Sequence, residues 1–203
     1  MGYSTDFEGT LKLSKNLTEE QLGYINCFSE TRRMGRDPEI LMKLYKGKHG
    51  LPYAFKLPPG AINPIEKLKK MGLSVEVTPI GDRTAKDIYG VDGEYFAYDD
   101  GHSGQSTDNS IRDFNNSSTM PGLWCQWIVS PFDGKHHLVW NDGEKFYNYV
   151  EWLKFMIKHF FEPWGIKLTG DIDWFGEERT DIGRISCLNN TVVVKSGSIE
   201  YEK

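Results

Sequence analysis

The chain has 203 residues, with 38% hydrophobic and 26% charged content, which predicts one soluble globular domain with its own hydrophobic core. Its net charge of −5 argues against a general nucleic-acid binder, because phosphate neutralisation needs a basic surface. No apolar run approaches the length of a membrane span, and the N-terminus lacks the features of a signal peptide. Cys27, Cys125 and Cys187 are odd in number and widely spaced, which predicts reduced thiols in a cytoplasmic protein.

Two elements are predicted near the start of the chain. Apolar and polar residues alternate over 3–13, a pattern typical of a half-buried strand. A helix then begins after Thr18, which forms a capping box with Gln21, and Gly35 is expected to end it.

Residues 37–90 differ from the rest of the chain because they combine short elements with proline and glycine. Asp37-Pro38 predicts the start of a second helix, a third helix is predicted over 63–71, and a strand over 73–77. We interpret the whole segment as a small helical and irregular insertion.

The stretch that follows is first aromatic and then very polar. A short strand is predicted over 94–98, and the loop over 99–121 is the most polar part of the chain. A loop of this length inside a compact domain is either functional or disordered, and the sequence does not decide between them.

An aromatic segment over 122–161 is expected to form most of the core. Strands over 123–129 and 136–140 flank an Asp133-Gly134 turn, and the first is apolar on both faces, which predicts a central strand. A helix then starts at 141 or 142 and ends at Pro163. Its apolar stripe consists of Phe146, Tyr149, Val150, Leu153, Ile157, Phe160 and Phe161.

Three strands complete the chain, over 166–174, 184–188 and 191–195, the last two joined by the tight turn 189–190. Hairpin connections imply a mainly antiparallel sheet with two principal helices on one face. We therefore expect a single α+β domain over 1–203 that carries the insertion 37–90.

Several stretches carry a resemblance to a known family: YSTDFEG, FSETRRMGRD, PGLWCQW, DGEKFYNYVEWL and FFEPWG followed by LTGDIDWFGE. Together they resemble a family of proteins of uncharacterised function encoded by tailed phages and by bacteria. The resemblance covers both ends of the chain and not residues 37–90, which supports their interpretation as an insertion. It implies no activity, and the phage association implies a protein that modulates a host process.

Arginines and aromatic residues supply the first candidate binding groups. Arg32 and Arg33, with Arg36 close by, could bind a phosphate or carboxylate, or could simply complement the dipole of the preceding helix. A second group could form an aromatic pocket that stacks a base, or could be ordinary core packing. Its members are Trp124, Gln126, Tyr147 and Trp152.

Acidic and histidine residues supply the weaker candidates. His102 and Asp113 share the polar loop with other carboxylates and could perform acid–base chemistry, although no metal-ligand spacing is recognisable. Asp171 and Asp173 could hold Mg²⁺, but a solvated strand face is the simpler interpretation.

Two functional hypotheses follow. The first is a binding module without a cofactor, which sequesters a small anionic, nucleotide-like ligand or occludes a host protein. The alternative is a nucleotide-directed hydrolase or transferase, with His102 or Asp113 as acid or base and Arg32 or Arg33 on the phosphate. Binding is favoured because no phosphate loop, nucleophile elbow, CxxC pair or zinc-protease helix is present.

Overall fold

A computed structural model of the chain describes residues 2–51, 83–100, 102, 104–115 and 119–200. Six strands form one antiparallel sheet with the two principal helices on one face, which is the α+β fold expected from the sequence. In spatial order the strands are β4 (Trp127–Phe132), β5 (Lys135–Trp140), β1 (Thr5–Leu13), β6 (Leu168–Gly176), β7 (Ile182–Leu188) and β8 (Thr191–Ser196). A separate ladder pairs β2 (Gly35–Arg36) with β3 (Ile111–Asp113).

The helices of the described part are α1 (Glu19–Glu30), α2 (Pro38–Tyr45), α3 (Ala85–Tyr89) and α4 (Tyr149–Met156), and α4 continues as a π-helical turn over Ile157–Phe161. The capping box of Thr18 and Gln21 is confirmed at the start of α1. Asp37 caps α2 as predicted, because its carboxylate accepts the amides of Glu39 and Ile40. None of these helices is both long and apolar enough to cross a membrane.

One face of the sheet and the inner faces of α1 and α4 enclose the core. Alternation places Leu11 and Leu13 of β1 in that core while Thr10 and Lys12 face solvent. Aromatic rings fill the space between sheet and helices, and the largest fully buried ones belong to Trp127, Trp152, Phe28, Phe146, Phe160 and Phe161. Most of the predicted stripe is therefore confirmed as core, although Phe146 lies before α4 and Tyr149 and Val150 are only half-buried against that core.

Both predicted tight turns are confirmed. Asp133 and Gly134 join β4 to β5 with φ angles of 49° and 70°, and Asn189 and Asn190 join β7 to β8 with 50° and 73°. Two consecutive left-handed residues give a turn whose twist matches that of the flanking strands.

The prediction that the long helix starts at 141 or 142 is wrong, because α4 begins only at Tyr149. Asp142, Lys145 and Asn148 all have positive φ, which interrupts any helix through this segment. The side chain of Gln126 helps to fix that loop by donating to the carbonyl of Glu144.

Two predictions about shorter segments are also wrong. Residues 94–98 form turns and irregular backbone rather than a strand. α1 ends at Glu30, and the extended backbone of its C-cap residue Thr31 leads towards β2, so Gly35 lies in a strand and does not end the helix. The predicted helix over 63–71 and strand over 73–77 lie outside the described residues.

The insertion 37–90 stays a prediction. Its described ends, α2 and α3, pack on each other around Leu41, Tyr89 and Phe96, a cluster separate from the main core.

The prediction of a central strand over 123–129 is wrong, because β4 begins at Trp127 and lies at one edge of the sheet. Its outer backbone edge is covered by α1 instead of by another strand. Asn26 donates to the Val129 carbonyl and accepts the Val129 amide, and Ser29 donates to the Trp127 carbonyl. Two side chains of α1 therefore take the place of a neighbouring strand.

Asn26→Ala is expected to lower the free energy of unfolding by about 1–3 kcal/mol, because it leaves the buried amide and carbonyl of Val129 without partners. Urea unfolding measures the loss. Glu30→Ala, an exposed change on the same helix, is the control and should stay within about 0.5 kcal/mol of wild type. Equal stability of the two variants would contradict the edge-covering role.

Candidate functional site

Arg32 lies just beyond the end of α1, where its guanidinium contacts two aromatic rings. Its central carbon is 4.6 Å from the Phe114 ring centroid and 5.8 Å from that of Trp124. Nε donates to the Phe114 carbonyl at 3.2 Å, and Nη2 donates to Oδ1 of Asn115 at 3.3 Å. We call Arg32, Phe114, Asn115 and Trp124 the Arg32 cluster.

The cluster is accessible. The side chains of Arg32 and Trp124 are half-buried, and Phe114 is 40% exposed. A guanidinium has five N–H groups, so the two bonds above leave three without an acceptor among the described residues. None of the ion pairs found within the described ranges involves Arg32.

Long-range backbone contacts position the cluster. β2 pairs Gly35 with Asp113, which brings the turn over 113–115 beside the end of α1, and the Asp113 carboxylate closes that turn by accepting the Asn115 amide. The Arg33 amide donates to the Leu123 carbonyl at 2.9 Å, which holds the segment that carries Trp124.

Arg36 is buried and organises the polar loop from inside. Its guanidinium pairs with the Asp108 carboxylate at 2.8 Å and lies 4.8 Å from the Phe96 ring centroid. It also donates to the Ser110 hydroxyl and to the carbonyls of Gly104 and Ser106. The described part of the 99–121 loop is therefore folded around a buried cation.

The pKa of Asp108 reflects this setting. Burial alone would raise the pKa of the carboxyl, but hydrogen bonds from Ser110 and the charge of Arg36 outweigh burial and hold the pKa below its ordinary value. Asp108 is therefore ionised at neutral pH and completes the pair.

Arg33, which the sequence suggests as a ligand-binding residue, is only 2% exposed. It donates to the carbonyls of Thr31, Glu94 and Phe96, and burial lowers its pKa to about 10 because desolvation disfavours the cation. These contacts tie the end of α1 to residues 94–96, so we place Arg33 outside the candidate site.

Gln126 and Tyr147 were expected beside Trp124, but each is engaged elsewhere. Gln126 is buried, with Nε2 donating to the Glu144 carbonyl and Oε1 accepting from Trp140. The Tyr147 hydroxyl accepts the Tyr3 amide at 3.0 Å. No contact found in the described residues joins either side chain to Trp124.

His102 and Asp113 occupy different places in the polar loop. Asp100 accepts the amide of His102, and the His102 ring lies 3.2 Å from the Asp100 carbonyl in an exposed turn. Asp113 is exposed and belongs to the turn that contacts Arg32. Of the two, only Asp113 lies in the turn that contacts Arg32, whereas His102 lies two residues from Gly104, whose carbonyl accepts from the buried Arg36.

The remaining acidic and thiol candidates have structural explanations. Asp173 forms a two-bond pair with Arg184 on the solvent face of the sheet, at 2.6 and 2.7 Å. In the part of the chain that the structure describes, no three His, Cys, Asp or Glu side chains are grouped to hold a metal. Burial raises the pKa of all three thiols, that of Cys125 to about 12, so they are poor nucleophiles.

Phe114 and Asn115 are the members of the cluster that sequence reasoning missed. Phe114 is the single Phe, Tyr or Trp in the otherwise polar 99–121 loop. This isolation is the sequence feature that could have indicated a role for it in binding. No family model, no curated protein and no solved structure matches the chain. The function is therefore best inferred from the Arg32 cluster itself.

Proposed function

We propose that the protein is a non-enzymatic binding module that sequesters a small anionic, nucleotide-like ligand at the Arg32 cluster. One observation carries the proposal: an accessible guanidinium contacts two aromatic rings and keeps N–H groups without an acceptor among the described residues. A planar guanidinium binds phosphate through paired N–H donors, and the rings give a flat surface for a base. Fixing Arg32 in advance reduces the entropy lost on binding.

The charge of the chain supports a small ligand over a polymer. With a net charge of −5, the protein as a whole repels a polyanion, whereas a single nucleotide needs only a local cation. We further propose a cytoplasmic location and, from the family resemblance, a phage origin in which sequestration interferes with a host process. Occlusion of a host protein is the other form that such interference would take.

A nucleotide-directed hydrolase or transferase is the second candidate. It is favoured by the position of Asp113, which lies in the same turn as the two residues that contact Arg32. Phosphate release from the bound nucleotide, lost in Asp113→Asn, would select this alternative over simple binding.

A thermal-shift screen over nucleotides and cyclic nucleotides tests the proposal. A ligand present at 100 times its Kd is expected to add about 2.7 kcal/mol to the free energy of unfolding. Arg32→Gln should abolish the shift, and Arg32→Lys should weaken binding about tenfold or more, because it keeps the charge but loses the planar fork.

Arg112→Gln is the matched control. Arg112 lies on the neighbouring strand β3, is 54% exposed and pairs with Asp37, so the variant makes the same change of charge nearby. It should bind as wild type does. The small-ligand proposal fails if no nucleotide shifts the wild-type protein, or if Arg32→Gln and Arg112→Gln lose the same amount.

A further inference from the structure

The two edges of the sheet differ in whether their outward-facing backbone N–H and C=O groups are covered. The Asn141 amide donates to the Gln126 carbonyl, so even-numbered residues of β4 face β5 and odd-numbered residues present their backbone groups outward. Those outward groups are covered by Asn26 at Val129 and by Ser29 at Trp127, and Pro131 has no N–H to expose. The edge at β4 is closed.

The opposite edge, at β8, is open. The Gly197 amide donates to the Ile182 carbonyl at 2.7 Å, so odd-numbered residues of β8 bond to β7. The N–H and C=O groups of Val192, Val194 and Ser196 therefore point away from the sheet. No strand follows β8 in the sheet formed by the described residues.

The side chains of this edge favour pairing. Three consecutive valines occupy β8, and Val193 and Val194 are 47% and 45% exposed. β-branched side chains stabilise strand pairing, and natural edges that avoid association carry proline, bulges or several charges instead. Within Thr191–Ser196 the single charge is Lys195.

A groove runs beside the open edge on the helical side of the sheet. It has a volume of about 420 Å³ and lies between Val194 and the first turns of α4. Tyr149 and Val150 line it together with the exposed side chains of Glu151 and Lys154.

We propose that β8 pairs antiparallel with β8 of a second copy of this chain, around a twofold axis perpendicular to the sheet. The two sheets then become one continuous sheet, and both α4 helices lie on the same side of it. This interface is independent of the ligand proposed for the Arg32 cluster.

The alternating direction of the β8 backbone groups and the charge of Lys195 restrict the register of this pairing. Outward-facing residues must oppose outward-facing residues. The twofold axis therefore lies midway between one residue of β8 and the same residue of the other copy. An axis through Lys195 would place two lysines opposite each other, whereas an axis through Val193 or Val194 opposes valine to valine. With the axis at Val193, Lys195 lies opposite Thr191; with the axis at Val194, it lies opposite Val193.

The groove is complementary to itself, which is why we choose a second copy as its occupant. Glu151 and Lys154 carry opposite charges one helical turn apart. When a twofold axis brings two α4 helices together antiparallel, Glu151 of each copy faces Lys154 of the other. A single-sign groove would instead repel its own copy.

Sedimentation equilibrium of the whole chain tests the dimer, at loadings up to about 1 mM, where even a dimer with a Kd of about 1 mM is populated. The weight-average mass of wild type should rise with loading from that of one chain towards twice that value. Val194→Pro should raise the dimer Kd at least about tenfold while leaving the β7–β8 ladder intact, since the lost N–H points outward.

Charge reversal supplies a test that does not depend on proline. Glu151→Lys should weaken the dimer, and adding Lys154→Glu should restore it, a rescue that general misfolding cannot produce. A wild-type chain that stays monomeric at every loading overturns the proposal. So does a dimer that persists unchanged in both Val194→Pro and Glu151→Lys.

Discussion

Leu153→Asp is expected to leave the protein without a cooperative unfolding transition. Leu153 is fully buried in the main core, where α4 packs on the sheet. The substitution removes a side chain worth about 2–5 kcal/mol and adds a carboxylate that has no partner in that core. The combined loss is comparable with the whole free energy of unfolding of a domain of this kind. Circular dichroism during urea unfolding measures it.

Lys158→Asp provides the control for that experiment. Lys158 lies in the π-helical turn that continues α4 but is exposed, so the same new side chain meets water. Its cost should stay within about 1 kcal/mol, mostly from an acid near a helix C-terminus. A soluble, cooperatively folding Leu153→Asp variant would show that α4 does not anchor the core.

Arg36→Gln is expected to cost about 3 kcal/mol, because removing one partner of a buried pair leaves the other partner and several carbonyls unsatisfied. Arg36 is 3% exposed, whereas Asp108 is 21% exposed, so water can partly solvate the remaining carboxylate. This puts the cost at the lower end of the range for buried pairs. The free energy of unfolding in urea is the measurement.

Arg184→Gln is the matched control for Arg36→Gln. Arg184 forms an equally short pair with Asp173, but its side chain is 53% exposed. An exposed pair contributes about 0–1 kcal/mol, so this variant should remain close to wild type. Equal losses from the two variants would contradict a special role for the buried cation.

The pH dependence of the Arg36 effect follows from the lowered pKa of Asp108. A carboxyl whose pKa is lower in the folded state stabilises the fold above its unfolded pKa of about 3.9 and loses that contribution as the pH falls through the folded value. The difference between wild type and Arg36→Gln should therefore be greatest near neutral pH and shrink below about pH 4.

Arg36 also connects stability to the proposed site. The loop that it holds leads directly through β3 to Phe114 and Asn115, the two residues that contact Arg32. Arg36→Gln should consequently weaken nucleotide binding in protein that is still folded, although Arg36 itself is buried away from any ligand.

Local chemistry made much of the fold predictable from the sequence. The caps at Thr18 and Asp37 and the turns at Asp133-Gly134 and Asn189-Asn190 depend on residues no more than a few positions apart. Strand alternation and the helical stripe likewise need only a short window.

Tertiary contacts decided which elements lie at the edges and where α4 begins. Trp127–Phe132 is apolar on both faces, as a central strand would be, but side chains of α1 cover its outer edge across about a hundred positions of sequence. α4 begins at Tyr149 and not at the predicted 141 or 142, because contacts such as the one from Gln126 hold the preceding segment as a loop.

The candidate site shows the same division between local and long-range causes. The sequence by itself placed Arg32, Arg33 and Arg36 together at the end of a helix, and it separately identified Trp124 as a residue that could stack a base. It could not separate the three arginines, because their burial depends on contacts with residues 63 to 83 positions away. Only the tertiary structure turned Arg33 and Arg36 inward to backbone carbonyls and Asp108, and left Arg32 beside two aromatic rings at the surface.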